Sequence, residues 1–210
     1  MAILDDIGAS LLKGRARPLM EQLNNALAEG ISASDILNEG MRPSMSKLGE
    51  LFKNNQVFVP EVMRSAQAFN QALSVLKPLM LEDSVQTKGT AVIGTVSGDK
   101  HDIGKNLVAI MLQGAGLNVI DLGSEVTADM FCDAVEQHNA DIVAMSALLT
   151  TTMPYQGEVI KALESRGLRD NVKVMVGGAP VTEEFARSIG ADAYTPDAGS
   201  AASRVIELLG

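Results

Sequence analysis

Apolar positions along residues 2–81 recur at helical spacing. Leu4, Ile7, Leu11 and Leu12 form one such stripe, and Leu19, Met20, Leu23 and Leu27 form the next. Gly30 is placed to end the second helix, and Ser32 with Asp35 three residues later resembles a capping box for a third. Gly40 and Pro43 predict a break or kink near 40–43. Met45, Leu48, Leu51 and Phe52 follow on one helix. Asn54-Asn55 marks a turn, and Pro60 opens a last long helix carrying Val62, Met63, Ala66, Phe69, Leu73 and Leu76. This half is expected to be a small helical bundle.

The pattern changes after a polar stretch at 82–89, which sets the expected boundary between a helical domain at 1–88 and a second domain at 89–210. Apolar runs at 90–96, 118–122, 141–146, 172–176 and, more weakly, 191–195 alternate with helical segments near 103–115, 127–138, 153–166, 181–188 and 198–209. Five strand–helix units with short connections imply an α/β fold with a parallel, doubly wound sheet of flavodoxin- or Rossmann-like order 2-1-3-4-5.

Sheets of this kind take ligands beyond the carboxyl ends of their strands, at the switch between strands 1 and 3. Three loops fall there: Ser97-Gly98-Asp99-Lys100-His101-Asp102-Ile103-Gly104, Ser146-Ala147-Leu148-Leu149-Thr150-Thr151-Thr152, and Gly177-Gly178-Ala179-Pro180. His101 precedes a helix that Asp102 is placed to cap. Asp99, two residues earlier, can accept the proton of one ring nitrogen, an arrangement that orients a metal-bound histidine and raises its basicity. The hydroxyls after strand 3 can extend that relay or bond a ligand. Gly177 and Gly178 remove side chains where something bulky must approach the backbone. An Asp-x-His turn, a Gly-Gly turn or a hydroxyl at a helix start is each commonplace alone. Their convergence on three successive carboxyl-end loops is not.

Composition narrows the classes. The net charge is -9 and aromatic residues are 3%, which argues against a basic nucleic-acid surface or a stacking platform for single strands. No apolar run reaches the ~20 residues of a membrane span, and the amino terminus lacks the basic start of a signal peptide. The single cysteine, Cys132, permits no intrachain disulfide and fits a reducing cytoplasm. Cys132 and His138 are six apart on one predicted helix, a spacing that does not align two ligands. Asp129, Asp133 and Glu136 read as a solvated helix face.

The three loops carry the pattern Asp99-x-His101-x-x-Gly104, Ser146-x-Leu148 and Gly177-Gly178, with 41 residues between the first two parts and 28 between the last two. This pattern resembles that of cobalamin-binding proteins. Residues 41–78, with Gly49-Glu50-Leu51-Phe52 and Phe58-Val59-Pro60-Glu61-Val62, are similar to the helical cap of methionine synthase and of the corrinoid proteins of methyltransferase systems. The resemblance covers nearly the whole chain.

It implies a cobalamin or related corrinoid held with its own lower base displaced and His101 as the lower axial ligand of cobalt. Asp99 and Thr152 would form a proton relay behind His101. Asp102, Ile103, Gly104, Ser146, Leu148, Thr150, Gly177 and Gly178 would contact the cofactor, with Ser146 and the Gly177-Gly178 loop lining the slot for its nucleotide tail. Phe52 and Val59 match residues that cover the upper, methyl-bearing face, and also suit a plain bundle core. The implied protein is not an enzyme alone but a methyl carrier of anaerobic one-carbon metabolism. It would accept a methyl group on Co(I) from a substrate-specific methyltransferase and pass it to a second methyltransferase serving tetrahydrofolate or a thiol coenzyme. A reductive activase would be a further partner, and the helical cap would swing aside for each partner. Carriers of this type serve methanol, methylamines, betaines and aryl methyl ethers, a choice made by the partner. The alternatives are the cobalamin-binding subunit of an adenosylcobalamin mutase, which would share the His101 motif, and a cobalamin-dependent sensor, which would need a DNA-binding domain. A phospho-acceptor receiver domain would place a carboxylate where Ser146 stands.

Overall fold

A computed structural model describes residues 2–80 and 87–210, which fall into two compact units, one within 1–86 and one within 87–210. In the first, α1 (Ala2–Leu12) and α2 (Ala16–Ala28) are followed by α3 (Ala33–Asp35), a π-helical turn (Ile36–Met41), α4 (Arg42–Lys53) and α5 (Val59–Leu76). Ile7, Leu11, Leu19, Leu23, Met45, Leu48, Val62 and Phe69 are buried in it. Most of the predicted punctuation is used. Gly30 follows α2 at φ +86, with Ile31 N–H returning to the Ala26 carbonyl. Ser32 Oγ accepts from Asp35 N–H at 3.0 Å, and Pro60 lies in the first turn of α5.

Of the break or kink expected at 40–43, the break does not occur. The chain stays helical from Ala33 to Lys53, and the turn through Gly40 widens to π geometry. The reason lies at Pro43, whose ring cannot accept the close approach of the carbonyl four residues back. A one-residue widening relieves that contact without ending the helix.

The second unit contains the five-stranded, all-parallel sheet in the order β2-β1-β3-β4-β5. The strands are β1 (Thr90–Thr95), β2 (Asn118–Asp121), β3 (Ile142–Ser146), β4 (Lys173–Gly177) and β5 (Ala193–Tyr194). Between and after them run α6 (Ile103–Gly114), α7 (Ala128–His138), α8 (Pro154–Ser165), α9 (Glu183–Ser188) and α10 (Ala198–Leu209). Alternate residues of the central strands feed two cores, which is why their sequences are apolar throughout. Val92, Val143 and Val174 pack with Phe131, Val159 and Leu163 on one face. Ala91, Ile93, Ala144 and Met175 pack with Leu112 and Val205 on the other.

Residues 82–86 of the expected linker lie outside the described residues. Lys88 and Gly89 already belong to the α/β unit: Lys88 N–H donates to Gly116 O, and Gly89 O accepts from Asn118 N–H.

Candidate functional site

The register pairs Thr95 with Ser146 and Ser146 with Gly177, so β1, β3 and β4 end level. Their three following loops therefore start from one edge of the sheet. The first loop folds back on itself: Asp99 N–H donates to Val96 O at 3.2 Å, and the Asp99 side chain is turned inward with no exposure.

That buried carboxylate organises the site. Its Oδ1 meets His101 Nδ1 at 2.7 Å and accepts the His101 backbone N–H at 3.1 Å. Its Oδ2 accepts the Leu148 N–H and the Thr152 hydroxyl, each at 2.7 Å. Thr152 Oγ1 also lies 3.0 Å from Leu149 O. A hydroxyl has one proton, and the shorter contact to a charged acceptor takes it. Burial pushes the Asp99 carboxyl up, but hydrogen bonds from Leu148, Thr152 and His101 outweigh it and hold the group well below the usual carboxylate range. An ionised Asp99 makes Nδ1 the protonated nitrogen of a neutral His101, which leaves Nε2 with its lone pair.

The His101 side chain is 53% exposed although Asp99 behind it is fully buried, so the ring emerges from the unit by its far edge. Ile103, 68% exposed, and Leu148, 40% exposed, flank it in sequence or through Asp99. A side chain added at Gly104 would meet nothing within 4 Å. No packing requirement of the protein explains a glycine there, whereas space for a ligand does. Ser146 Oγ has no hydrogen-bond partner among the described residues.

Some expectations are modified. Asp102 stands at the N-cap of α6, but its carboxylate makes no cap bond; its backbone carbonyl accepts from Asn106 N–H instead. Gly178 sits at φ +127, and a Cβ there would lie 1.8 Å from Ala147 O. What approaches this glycine is the backbone of the β3 loop. At Gly177 a Cβ would come within 3.0 Å of Thr195 O. Thr150 is exposed in the turn before α8. Phe52, in the last turn of α4, and Val59, which opens α5, are both partly buried. Cys132 is buried in the sheet core and His138 ends α7.

The sequence patterns did not single out three contributors. The Leu148 amide leaves no side-chain signature. Gln156, buried on α8, donates from Nε2 to Met145 O and Gly177 O, both at 3.1 Å, and so ties the ends of β3 and β4. Its Oε1 is buried without a partner among the described residues. Lys105 is buried on α6, and its sequence neighbours, Gly104 and Asn106, give no sign of it.

Family comparisons agree with this geometry. A family model described as a B12 binding domain matches residues 89–206, and a second of the same description matches residues 3–77. The chain belongs to the B12-binding family. Its cofactor is cobalamin or a related corrinoid. Among relatives of this B12-binding chain, dimethylamine corrinoid protein 1 of Methanosarcina acetivorans is 40% identical over 208 residues, covering 99% of this chain and 97% of the relative. The trimethylamine corrinoid protein of Methanosarcina barkeri is 43% identical over 187 residues, covering 88% and 86%. The solved methanol:cobalamin methyltransferase complex of Methanosarcina barkeri superposes with a TM-score of 0.90 at 28% identity, over 99% of this chain and 80% of that one. The residues present suit such a cofactor: an imidazole half exposed and backed by a buried carboxylate, a glycine three residues on with open space at its Cβ position, and exposed apolar side chains at Ile103 and Leu148 on the same loops. Among the described residues, no helix is long and apolar enough to cross a membrane.

Proposed function

We propose that this B12-binding protein is a methyl carrier between two methyltransferases, with His101 as the lower axial ligand of cobalt. The observation that carries the reading is the shared Asp99 carboxylate, which joins His101 Nδ1 to Thr152 Oγ1 and leaves Nε2 directed away from the relay. When bound, the corrinoid supplies a cobalt centre able to take up and release a methyl group.

This chain's own residues do the rest. Asp99 keeps the imidazole in one tautomer and one orientation. The carboxylate 2.7 Å from Nδ1 fixes which ring nitrogen faces the protein and which is left for a ligand. Thr152 bonds the oxygen opposite His101 and holds the carboxylate in the plane that this requires. Ser146 and the Gly177-Gly178 turn are assigned to the nucleotide tail, and Gly104 to the space beside the ring. Phe52 and Val59 are assigned to shielding the methyl group.

The partners are a substrate-specific methyltransferase, a second methyltransferase that uses the methyl group, and a reductive activase. The relatives named for dimethylamine and trimethylamine make methylated amines the donor class to test first.

The deciding experiment uses protein labelled with nitrogen-15 histidine, loaded with cobalamin and reduced to Co(II). Each cobalt line of the paramagnetic resonance spectrum is expected to split into two, the signature of an axial nitrogen-15. Splitting into three would mean that the cofactor kept its own base, and the His101 assignment would fall.

A further inference from the structure

Asp99 is not the only anchor of His101. The Thr95 hydroxyl donates to the His101 carbonyl at 2.9 Å. Thr95 is the last residue of β1 and is fully buried beneath an apolar run. A buried hydroxyl is costly unless bonded, and among the described residues the Thr95 hydroxyl has the His101 carbonyl as its hydrogen-bond partner.

Thr95 is itself braced. Its N–H donates to Gly123 O at 3.0 Å, and its carbonyl accepts from Val126 N–H at 2.9 Å. Gly123 N–H in turn donates to Asp121 Oδ1 at 2.8 Å. Both Asp121 oxygens receive the Lys105 ammonium, at 2.6 and 2.5 Å, and Asn106 Oδ1 lies 2.6 Å from it. The Lys105 side chain is 1% exposed, yet its three protons meet three acceptors, which makes the burial of a cation tolerable. Lys105 lies one helical turn past His101, so the path from His101 through Thr95, Gly123, Asp121 and Lys105 returns along α6 to its start.

We propose that Thr95 is a positioning residue for His101, and that the Lys105–Asp121 pair is the strut that keeps Thr95 and the first turn of α6 in register. The proposal rests on the reading of His101 as the cobalt ligand. Asp99 bonds the imidazole ring, so a change at the far ring nitrogen reaches it directly. Thr95 bonds a main-chain carbonyl, which no such change reaches. The loop is thereby held while the ring is engaged or free, and Nε2 returns to the same position.

Cofactor-free protein provides the first readout. In Thr95→Val, which keeps the branched shape and removes the hydroxyl, hydrogen exchange at the His101 amide should quicken by about tenfold while Ile93 and Ala144 in the sheet keep their rates. Thr95→Ser should restore slow exchange. Uniform acceleration across the sheet, or an unchanged His101 amide, would overturn the proposal. Should Thr95→Val not fold, Lys105→Met carries the same test from the other end of the path. In cobalamin-loaded Thr95→Val, the two-line nitrogen-15 splitting should be lost from a large share of the Co(II) signal, and a full doublet would count against the anchor. Absence of the doublet from the unaltered protein would instead remove the axial-ligand reading, a result independent of the exchange measurement.

Discussion

Thr152 Oγ1 and His101 Nδ1 sit on opposite oxygens of one buried carboxylate, each 2.7 Å from Asp99. Neither touches the other, yet each constrains the other's geometry, because a carboxylate bonded at both oxygens cannot rotate. Thr152→Val should release one oxygen. The expected result is a loss of about 1.5–3 kcal/mol of unfolding free energy, since the bond is to a charged group, together with a smaller share of histidine-ligated Co(II). Thr152→Ser should retain both properties. Urea unfolding and paramagnetic resonance on the same samples would check this.

Asp99→Asn is expected to be more severe. An amide presents an acceptor at one end only, whereas Asp99 accepts from donors at both oxygens. One donor set would face an NH₂ group. Substitutions of this kind behind a metal-bound histidine typically cost 10–100-fold, and a loss of about that size is expected in the equilibrium between ligated and unligated His101. Titration of the loaded variant with free imidazole would measure it.

The two glycines at the edge of the site should behave oppositely. Gly178→Ala forces a Cβ onto the Ala147 carbonyl at a backbone φ of +127, and is expected to destabilise the α/β unit by more than about 2 kcal/mol. Gly104→Leu adds a side chain where the protein offers no obstacle, so cofactor-free stability should stay within about 0.5 kcal/mol. Its cobalamin affinity should fall by an order of magnitude or so, about 1.4 kcal/mol. Thermal unfolding of the cofactor-free proteins and equilibrium dialysis against cobalamin separate the two effects. Retained affinity in Gly104→Leu would show that this space is not used.

Asp99 also gives the α/β unit a dependence on acidity. Burial raises its pKa, and the hydrogen bonds from Leu148, Thr152 and His101 lower it by more, so the folded-state value lies below that of the unfolded chain. The unfolded chain then binds the proton first as pH falls. The stabilisation is complete above the unfolded value of about 3.9 and declines as pH drops from there toward the folded value. Asp99→Asn should be less stable than the parent at neutral pH, and the gap should narrow below about pH 4. Urea midpoints of both proteins, followed downward from about pH 5, would show whether the curves converge.

Much of the architecture was legible because it follows from periodicity. The strands are apolar at consecutive positions, as a sheet covered on both faces requires, and the order β2-β1-β3-β4-β5 follows from alternation with short connections. The hydrogen bonds around Asp99 were legible where side chains make them, at His101 and Thr152. They were hidden where the main chain does so. The Leu148 N–H and the His101 carbonyl are features of backbone path, and every residue type but proline presents the same amide. Thr95 was hidden for another reason: threonine is at home in strands, so its hydroxyl drew no notice. Gly40 and Pro43 mark an irregularity in the sequence but do not tell a break from a kink, and the π turn shows how a wider turn keeps the helix going.

Among the described residues, the groups that bond Asp99 all come from the α/β unit itself. These contacts need only residues of the α/β unit, so they can form as that unit folds. Folding free energy, and not binding energy, supplies the orientation of the imidazole. A ligand prepared in this way needs little reorganisation to meet or leave a metal. In the carrier proposed above, the slow coordinates of the cycle would then lie outside this cluster, in whatever must approach it.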